Sequence, residues 1–437
     1  MRSMRWRLAR IAVPAAMALA VPGAAAAADG SAIDSGDTAW LLIATAMVMV
    51  MLPGLALFYG GLVRRKNVLS TIMHSFFGLA IVSVVWVLVG FSIAFGPDVA
   101  GLGLVGGIDF LGFMNVGAEP STVYGTTIPF VLFAGFQLMF AAITPALITG
   151  AFAERKRFGA FVLFTVLWSI FIYSPLAHWV WSADGWLFKL GALDFAGGTV
   201  VHISSGVSAL VVALLIGRRS LNGDRMEPHD VPMTVLGAGL LWFGWFGFNA
   251  GSALAANGLA ANALIVTNTA AAAGTITWVL ASYALKRKVS VVGAVCGAVA
   301  GLVAVTPASG FVTAGGALLI GLAAGGLCYS ATLLRERIKI DDALDVFAVH
   351  GVGGMLGAVA TGVLATGAVN AYPGLIDGNP GQVVTQLIAV GATVAFAGLG
   401  TFVIVKLVDF ILGIRVGSQE EELGLDLALH GEAAYTS

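Results

Sequence analysis

Two short segments of the chain combine an aspartate and a histidine at the same spacing within apolar sequence. Asp194 precedes His202 by eight residues, and Asp342 precedes His350 by eight. Two neutral imidazoles can share one N–H···N hydrogen bond, and such a pair could bind a small hydrogen-bonding molecule or pass a proton. A purely structural pair that bridges two helices is the alternative interpretation. A metal site is disfavoured, because no third ligand lies at a sensible spacing.

A second group of candidates consists of aromatic and hydroxyl side chains near predicted helix ends. Phe140, Trp181 and Ser252 could hold a monovalent cation by cation–π contact and one hydroxyl acceptor, and Phe136 and Phe248 lie near them in the predicted helices. Membership of the aromatic belt at a membrane surface is the alternative for these rings. Asp194, followed by two glycines, could cap exposed N–H groups and influence a cation indirectly.

The composition indicates what kind of element must position these residues. Of 437 residues, 59% are hydrophobic and only 10% are charged, with a mean hydropathy of +0.95. A soluble domain carries about 25% charged residues. The net charge of −1 gives no indication of nucleic-acid binding. The sequence therefore predicts an integral membrane protein.

Eleven apolar segments follow the N-terminal region, and most are long enough to cross a bilayer. They predict an all-α protein with eleven transmembrane helices. The predicted spans are 38–62, 71–95, 127–152, 158–180, 197–217, 231–250, 261–284, 289–306, 312–334, 344–366 and 383–412.

The positions of the basic residues predict the orientation. Apart from four arginines in the first ten residues, every Lys and Arg except Lys189 lies at the end of an odd-numbered segment or after it. Basic loops remain in the cytoplasm. The mature N-terminus is therefore predicted outside and the C-terminus inside. The three loops with the densest charge are 64–66, 155–157 and 286–288.

The N-terminal region resembles a signal peptide. A basic stretch with four arginines is followed by an apolar run over 11–21 and by small residues near Ala28. The alternative is a true first helix. We expect residues 1–28 to be a signal peptide, 29–412 the membrane domain and 413–437 a cytoplasmic tail. Cys296 and Cys328 lie beside glycines inside apolar segments and are interpreted as packing residues.

The Asp–His segments suggest an internal repeat. One opens the fifth predicted helix from outside, and the other opens the tenth from inside. Eight helical residues rise about 12 Å, so both histidines reach near the middle of a core about 30 Å thick. Helices 1–5 and 6–10 would then form an inverted-topology repeat with a pseudo-two-fold axis. Glycines spaced by four, such as Gly297 and Gly301, predict close helix packing.

At these residues the chain resembles the ammonium transporter (Amt/Mep/Rh) family, closest to its bacterial Amt branch. The resemblance covers nearly the whole mature chain. It is carried by five stretches: 194–203, 244–252 (GWFGFNAGS), 301–307 (GLVAVTP), 345–351 (DVFAVHG) and 424–432 (GLDLALHGE). Leu344 stands where some members have a cysteine.

The resemblance implies a role for each matching position. Phe140, Trp181 and Ser252 would form an external ammonium site supported by Asp194. Phe140 and Phe248 would stack as a gate below it, and the two histidines, His202 and His350, would line the pore. It also implies a homotrimer with one pore per subunit. A PII-type protein would dock on the basic loop after the fifth helix and on the Glu420–Glu432 tail.

The expected function is ammonium transport across a bacterial inner membrane, without enzymatic activity, cofactor or metal. Ammonium would bind outside, lose its proton near the gate and cross as ammonia, with the proton relayed separately along the histidines. Three rivals remain at this point. An intramembrane enzyme lacks an evident serine–histidine dyad or metal triad. An ammonium sensor could keep the same pore, and a channel for water or carbon dioxide is the third rival.

Overall fold

The structure is a computed structural model that describes residues 33–220 and 226–435. The predicted signal peptide, 1–28, and Arg225 of the loop after the fifth helix lie outside the described residues. Within those ranges the chain is helical and contains no strand beyond three isolated bridges. Eleven helices are long and apolar enough to span a membrane, as the sequence predicts.

The eleven helices begin and end within a few residues of most predicted bounds. The largest difference is at the end of α4, where the chain breaks after Trp181 and then forms one more helical turn, Trp186–Leu190. The helices are α1 Ser35–Leu62, α2 Arg65–Phe95, α3 Phe130–Phe152, α4 Phe158–Leu190, α5 Gly198–Ile216, α6 Val231–Gly251, α7 Gly258–Lys286, α8 Val291–Ala308, α9 Ala314–Ile338, α10 Phe347–Leu364 and α11 Gly381–Leu412.

One end of the molecule carries a network of ion pairs between loops that are distant in sequence. Arg64 after α1 contacts Glu154 after α3 at 2.9 Å, and Arg219 after α5 contacts both Glu154 at 3.3 Å and Asp341 after α9 at 2.7 Å. Loops that follow odd-numbered helices therefore meet at one end, as the alternation of charges predicts. By the positive-inside rule this end is cytoplasmic.

The loops that follow even-numbered helices meet at the opposite end. Asp37, near the start of α1, accepts hydrogen bonds from the Thr127 hydroxyl at 2.6 Å and from the Ala256 N–H at 2.8 Å. The N–H of Trp186 donates to the carbonyl of Gly103 at 3.1 Å. These contacts tie α1, the end of α4 and the loops before α3 and α7 together at the external end.

Glycines allow α7 to pack directly against α8 and α9. A Cβ on Gly301 would lie 2.1 Å from the carbonyl oxygen of Ala270, and one on Gly297 would lie 2.7 Å from that of Gly274. Gly321 meets Ala270 in the same way from α9. The close packing predicted from the four-residue glycine spacing is therefore present.

The chain after α11 folds back onto the cytoplasmic loops. Val416 N–H donates to the carbonyl of Arg155 at 3.1 Å. A short helix, α12 Ser418–Leu423, then places Glu421 where it accepts from the Ser220 N–H at 2.5 Å. Asp426 accepts from the Ser70 N–H at 2.8 Å. The tail is thus bound to the start of α2 and to the loops after α3 and α5.

Candidate functional site

Helices α5 and α10 begin with the same local construction. Asp342 accepts a hydrogen bond from the Phe347 N–H at 2.7 Å, and Asp194 accepts from the N–H groups at the start of α5. Each helix then opens with a π-helical turn, Gly198–Ile203 in α5 and Phe347–Gly351 in α10. These turns contain the two histidines, and π-helical turns frequently occur at functional sites.

Asp194 is a buried helix cap. Its carboxylate accepts from the N–H groups of Gly197 at 2.8 Å, Gly198 at 2.6 Å and Thr199 at 2.7 Å, and also from the Thr199 hydroxyl. Burial raises the pKa of Asp194, against the opposing effect of these hydrogen bonds. Gly198 is required here because a Cβ would lie 2.5 Å from Pro307. The capping role predicted for Asp194 is confirmed.

The two histidines meet inside the helical bundle. Their Nδ1 atoms lie 3.2 Å apart, and their ring centroids are 5.3 Å apart at an interplanar angle of 29°. His202 is 1% exposed and His350 is 4% exposed. The distance is that of an N–H···N hydrogen bond, so the geometry expected from the eight-residue spacing is present.

A column of aromatic rings leads from the external end to the histidines. The rings of Phe140 and Phe248 pack against each other with a centroid distance of 4.3 Å and an interplanar angle of 40°. Phe248 in turn lies 6.0 Å from His202, and Trp245 lies 5.5 Å from His202, both nearly parallel to the imidazole. The two phenyl rings therefore occupy the passage between the external surface and the histidine pair.

An external cavity of about 370 Å³ lies above the phenyl rings, and Phe140, Trp181, Ser252 and Asp194 all line it. Trp181 stands edge-on to Phe140 at 5.8 Å and donates from Nε1 to the Asp194 carbonyl at 3.0 Å. The Ser252 hydroxyl donates to the Phe248 carbonyl at 2.8 Å, which leaves lone pairs on its oxygen. The structure brings all four predicted residues together.

A much narrower cavity lies below the phenyl rings and reaches both histidines. Its volume is about 10 Å³, which is close to the smallest volume that admits one water molecule. Apart from the two imidazoles and the polar tips of Tyr59 and Trp245, its walls are apolar. The other residues that line it are Met51, Leu55, Phe58, Ile143, Leu147, Val201, Leu241, Phe248 and Val299.

A third cavity, of about 680 Å³, opens at the cytoplasmic end and is lined by charged side chains. Arg219 and Asp341 form one of its ion pairs, at 2.7 Å. Burial acts to raise the pKa of Asp341, but the charge and hydrogen bonds of Arg219 outweigh burial and lower it to about 2. Burial raises the pKa of Asp345 to about 6, with Arg335 acting in the opposite direction.

Thr306 was not singled out as a site residue from the sequence. Its hydroxyl oxygen lies 3.3 Å from His202 Nε2 and accepts from Trp245 Nε1 at 2.9 Å. The available signal was its position, a hydroxyl in the apolar 301–307 stretch. No group of three metal-ligating side chains occurs in the described ranges, 33–220 and 226–435.

Comparisons with known proteins agree along the length of the chain. A model of the Ammonium Transporter Family matches residues 39–435. An ammonium transporter of Bacillus subtilis is 51% identical over 403 residues, which are 92% of this chain and 98% of the relative. Ammonium transporter Amt1 of Archaeoglobus fulgidus is 50% identical over 405 residues, covering 92% of this chain and 100% of the relative.

Solved structures give the same result. Mep2 of Saccharomyces cerevisiae is 40% identical, with a TM-score of 0.85 over 93% of this chain and 92% of that chain. A structure described as a sensor Amt protein is 32% identical, with a TM-score of 0.82 over 90% of this chain and 98% of that chain. The helical architecture and these matches establish that the chain belongs to the ammonium transporter family and is a multi-pass membrane protein.

Proposed function

We propose that the protein transports ammonium by binding it outside, removing its proton and conducting ammonia past the two histidines. One observation carries this proposal. Two phenyl rings in contact, Phe140 and Phe248, separate an external cavity of about 370 Å³ from a narrow apolar cavity of about 10 Å³ that ends at His202 and His350. Such an arrangement suits a substrate that is charged outside and neutral inside.

The external cavity supplies the contacts that a small cation needs. The faces of Phe140 and Trp181 attract a monovalent cation through their quadrupoles. The lone pairs of Ser252 offer one hydrogen-bond acceptor to an ammonium N–H. Asp194 uses its carboxylate on helix α5 and so contributes mainly through its field and its contact with Trp181.

The narrow cavity explains why ammonium should lose its proton. A bare cation in an apolar pore has a large desolvation cost, whereas a neutral molecule that hydrogen-bonds to imidazole has a much smaller one. Potassium cannot lose a proton, and this difference supplies selectivity. The released proton is relayed separately through the hydrogen-bonded pair, so that transport carries net charge.

We extend the proposal to targeting and assembly. Residues 1–28 act as a signal peptide, 29–412 form the membrane domain and 413–437 form a cytoplasmic tail, in a homotrimer of a bacterial inner membrane. A PII-type protein docks on the loop after α5 and on Glu420–Glu432. The hydrogen bond between Ser220 and Glu421 supports this pairing, because it joins those two surfaces.

An ammonium sensor is the second candidate. The similarity to the sensor Amt protein, at a TM-score of 0.82, favours keeping it. A sensor would use the same external site and pore but transport little. The two candidates therefore differ in flux.

The test is an ammonium pulse applied to proteoliposomes, with potassium pulses and empty liposomes as controls. A saturable current specific for ammonium supports transport of net charge. An internal pH change without current means conduction of neutral ammonia. If folded protein gives neither signal, the transport proposal is wrong and the sensor candidate stands.

A further inference from the structure

The Thr306 hydroxyl takes part in three contacts whose directions can be assigned from valence alone. Trp245 Nε1 is a donor only, and it lies 2.9 Å from Thr306 Oγ1. The Leu302 carbonyl is an acceptor only, and it lies 2.8 Å from the same oxygen. The single hydroxyl hydrogen of Thr306 therefore points to Leu302, and one oxygen lone pair is taken by Trp245.

The third contact then fixes the proton of His202. The remaining lone pair of Thr306 Oγ1 faces His202 Nε2 at 3.3 Å, so Nε2 must carry the hydrogen and donate it. A neutral imidazole has one N–H, which leaves Nδ1 of His202 as an acceptor. The partner atom, Nδ1 of His350 at 3.2 Å, must consequently be the donor.

The far end of this chain of hydrogen bonds is Nε2 of His350. With the hydrogen on Nδ1, Nε2 retains a bare lone pair, and no hydrogen bond to it forms within 33–220 and 226–435. Thr306 lies at the external end of α8, whereas His350 belongs to the helix that begins at the cytoplasmic end. Along the chain Thr306–His202–His350, Thr306 is thus the external end and His350 the cytoplasmic end.

We propose that Thr306 is a positioning residue that sets the proton order of the histidine pair, with His202 protonated at Nε2 and His350 at Nδ1. The inference deepens the proposed relay and rests on it for its functional meaning. In this order the only vacant nitrogen of the pair is Nε2 of His350, on the helix that begins at the cytoplasmic end.

The order has a consequence for any proton that moves inward. An inward hop adds a proton at His202 Nε2, passes the shared proton from His202 Nδ1 to His350 Nδ1, and releases the proton on His350 Nε2. The pair then stands in the order that Thr306 stabilises. The next hop requires both imidazoles to change tautomer, and the Thr306 hydroxyl must turn from Leu302 to donate to His202. Thr306 therefore governs the reset of the relay.

The tautomers can be read by ¹⁵N solid-state NMR on full-length protein in liposomes without substrate. His202 and His350 are the two histidines that follow a valine, so carbonyl-labelled valine with uniformly labelled histidine selects them. A Val349→Ile variant removes the His350 signal and assigns both. The other histidines follow Met73, Ala177, Pro228 and Leu429.

We expect His202 to be protonated at Nε2 and His350 at Nδ1 in the natural protein and in Thr306→Ser. In Thr306→Val the acceptor for His202 Nε2 is lost. The ratio of this tautomer order to the reverse order should then fall by about two- to tenfold, which corresponds to one hydrogen bond. The reverse order in the natural protein, or an unchanged ratio of the two tautomer orders in Thr306→Val, would overturn the proposal. Because no flux is measured, failure here is distinct from failure of transport.

Discussion

The contact between α5 and α10 beside the histidines offers a direct perturbation of the pair. Gly206 lies one helical turn after His202, and a Cβ at this position would lie 2.2 Å from the backbone nitrogen of Gly351, the residue after His350. The nearest atoms of α10 are backbone atoms of Gly351 and His350, which cannot move aside as a flexible side chain could. A Gly206→Ala variant must therefore move the two helices apart.

The size of the displacement follows from the geometry. Ordinary contacts begin near 3.4 Å, so relief of the 2.2 Å contact requires about 1 Å of separation. The Nδ1 atoms, now 3.2 Å apart, would then be about 4 Å apart, which is beyond hydrogen-bond distance. Overpacking costs about 1–3 kcal/mol of stability. Loss of the hydrogen bond should slow ammonium current by about two- to tenfold.

The assay compares thermal unfolding in detergent with ammonium current in proteoliposomes. Gly398→Ala is the matched control, because its Cβ would make an ordinary 3.5 Å contact with Val207 of α5. We expect the control to match the natural protein in both measurements. If Gly206→Ala unfolds at the same temperature and carries the same current, the proposed link between helix packing and the histidine pair is refuted.

Two further predictions concern the ends of the pore. Ser252→Ala should raise the KM for ammonium about fivefold through loss of one hydrogen bond, with Ser252→Thr as the control, and an unchanged KM would exclude the hydroxyl from the external site. Asp341→Asn should lower the free energy of unfolding by about 2–3 kcal/mol at pH 7, because Arg219 lowers the pKa of Asp341 to about 2 in the folded protein. This contribution to stability is complete above about pH 4 and is lost as the pH falls from about 4 to about 2. Thermal unfolding from pH 3 to 7 checks this. Asp184→Asn, at an exposed site, should change little, and equal losses in both variants would contradict it.

Much of the fold follows from the sequence because membrane helices obey two simple rules. Apolar runs of sufficient length give the eleven helices, and the alternation of basic loops assigns their ends. The meeting of His202 and His350 follows from their equal spacing from Asp194 and Asp342 on helices of opposite direction. In each case a local pattern determines the result.

Features that depend on long-range packing could not be predicted from the sequence. The π-helical turns that hold the histidines depend on caps and close glycine contacts with other helices, as at Gly198 against Pro307. Lys156 was counted among the basic loop residues, yet its amine is buried 3.9 Å from the ring centroids of both Phe152 and Phe164. Burial lowers the pKa of Lys156 well below its usual value. Only the assembled loops create that environment.

The central claim is that the histidine pair carries ammonia and excludes cations that keep their charge. The most direct measurement compares ammonium and potassium currents in proteoliposomes for the natural protein, His202→Leu and His350→Leu. We expect each substitution to lower the ammonium current sharply or to admit potassium, because either change removes the polar strip from the apolar pore. Equal ammonium current with potassium still excluded in both variants would contradict the account.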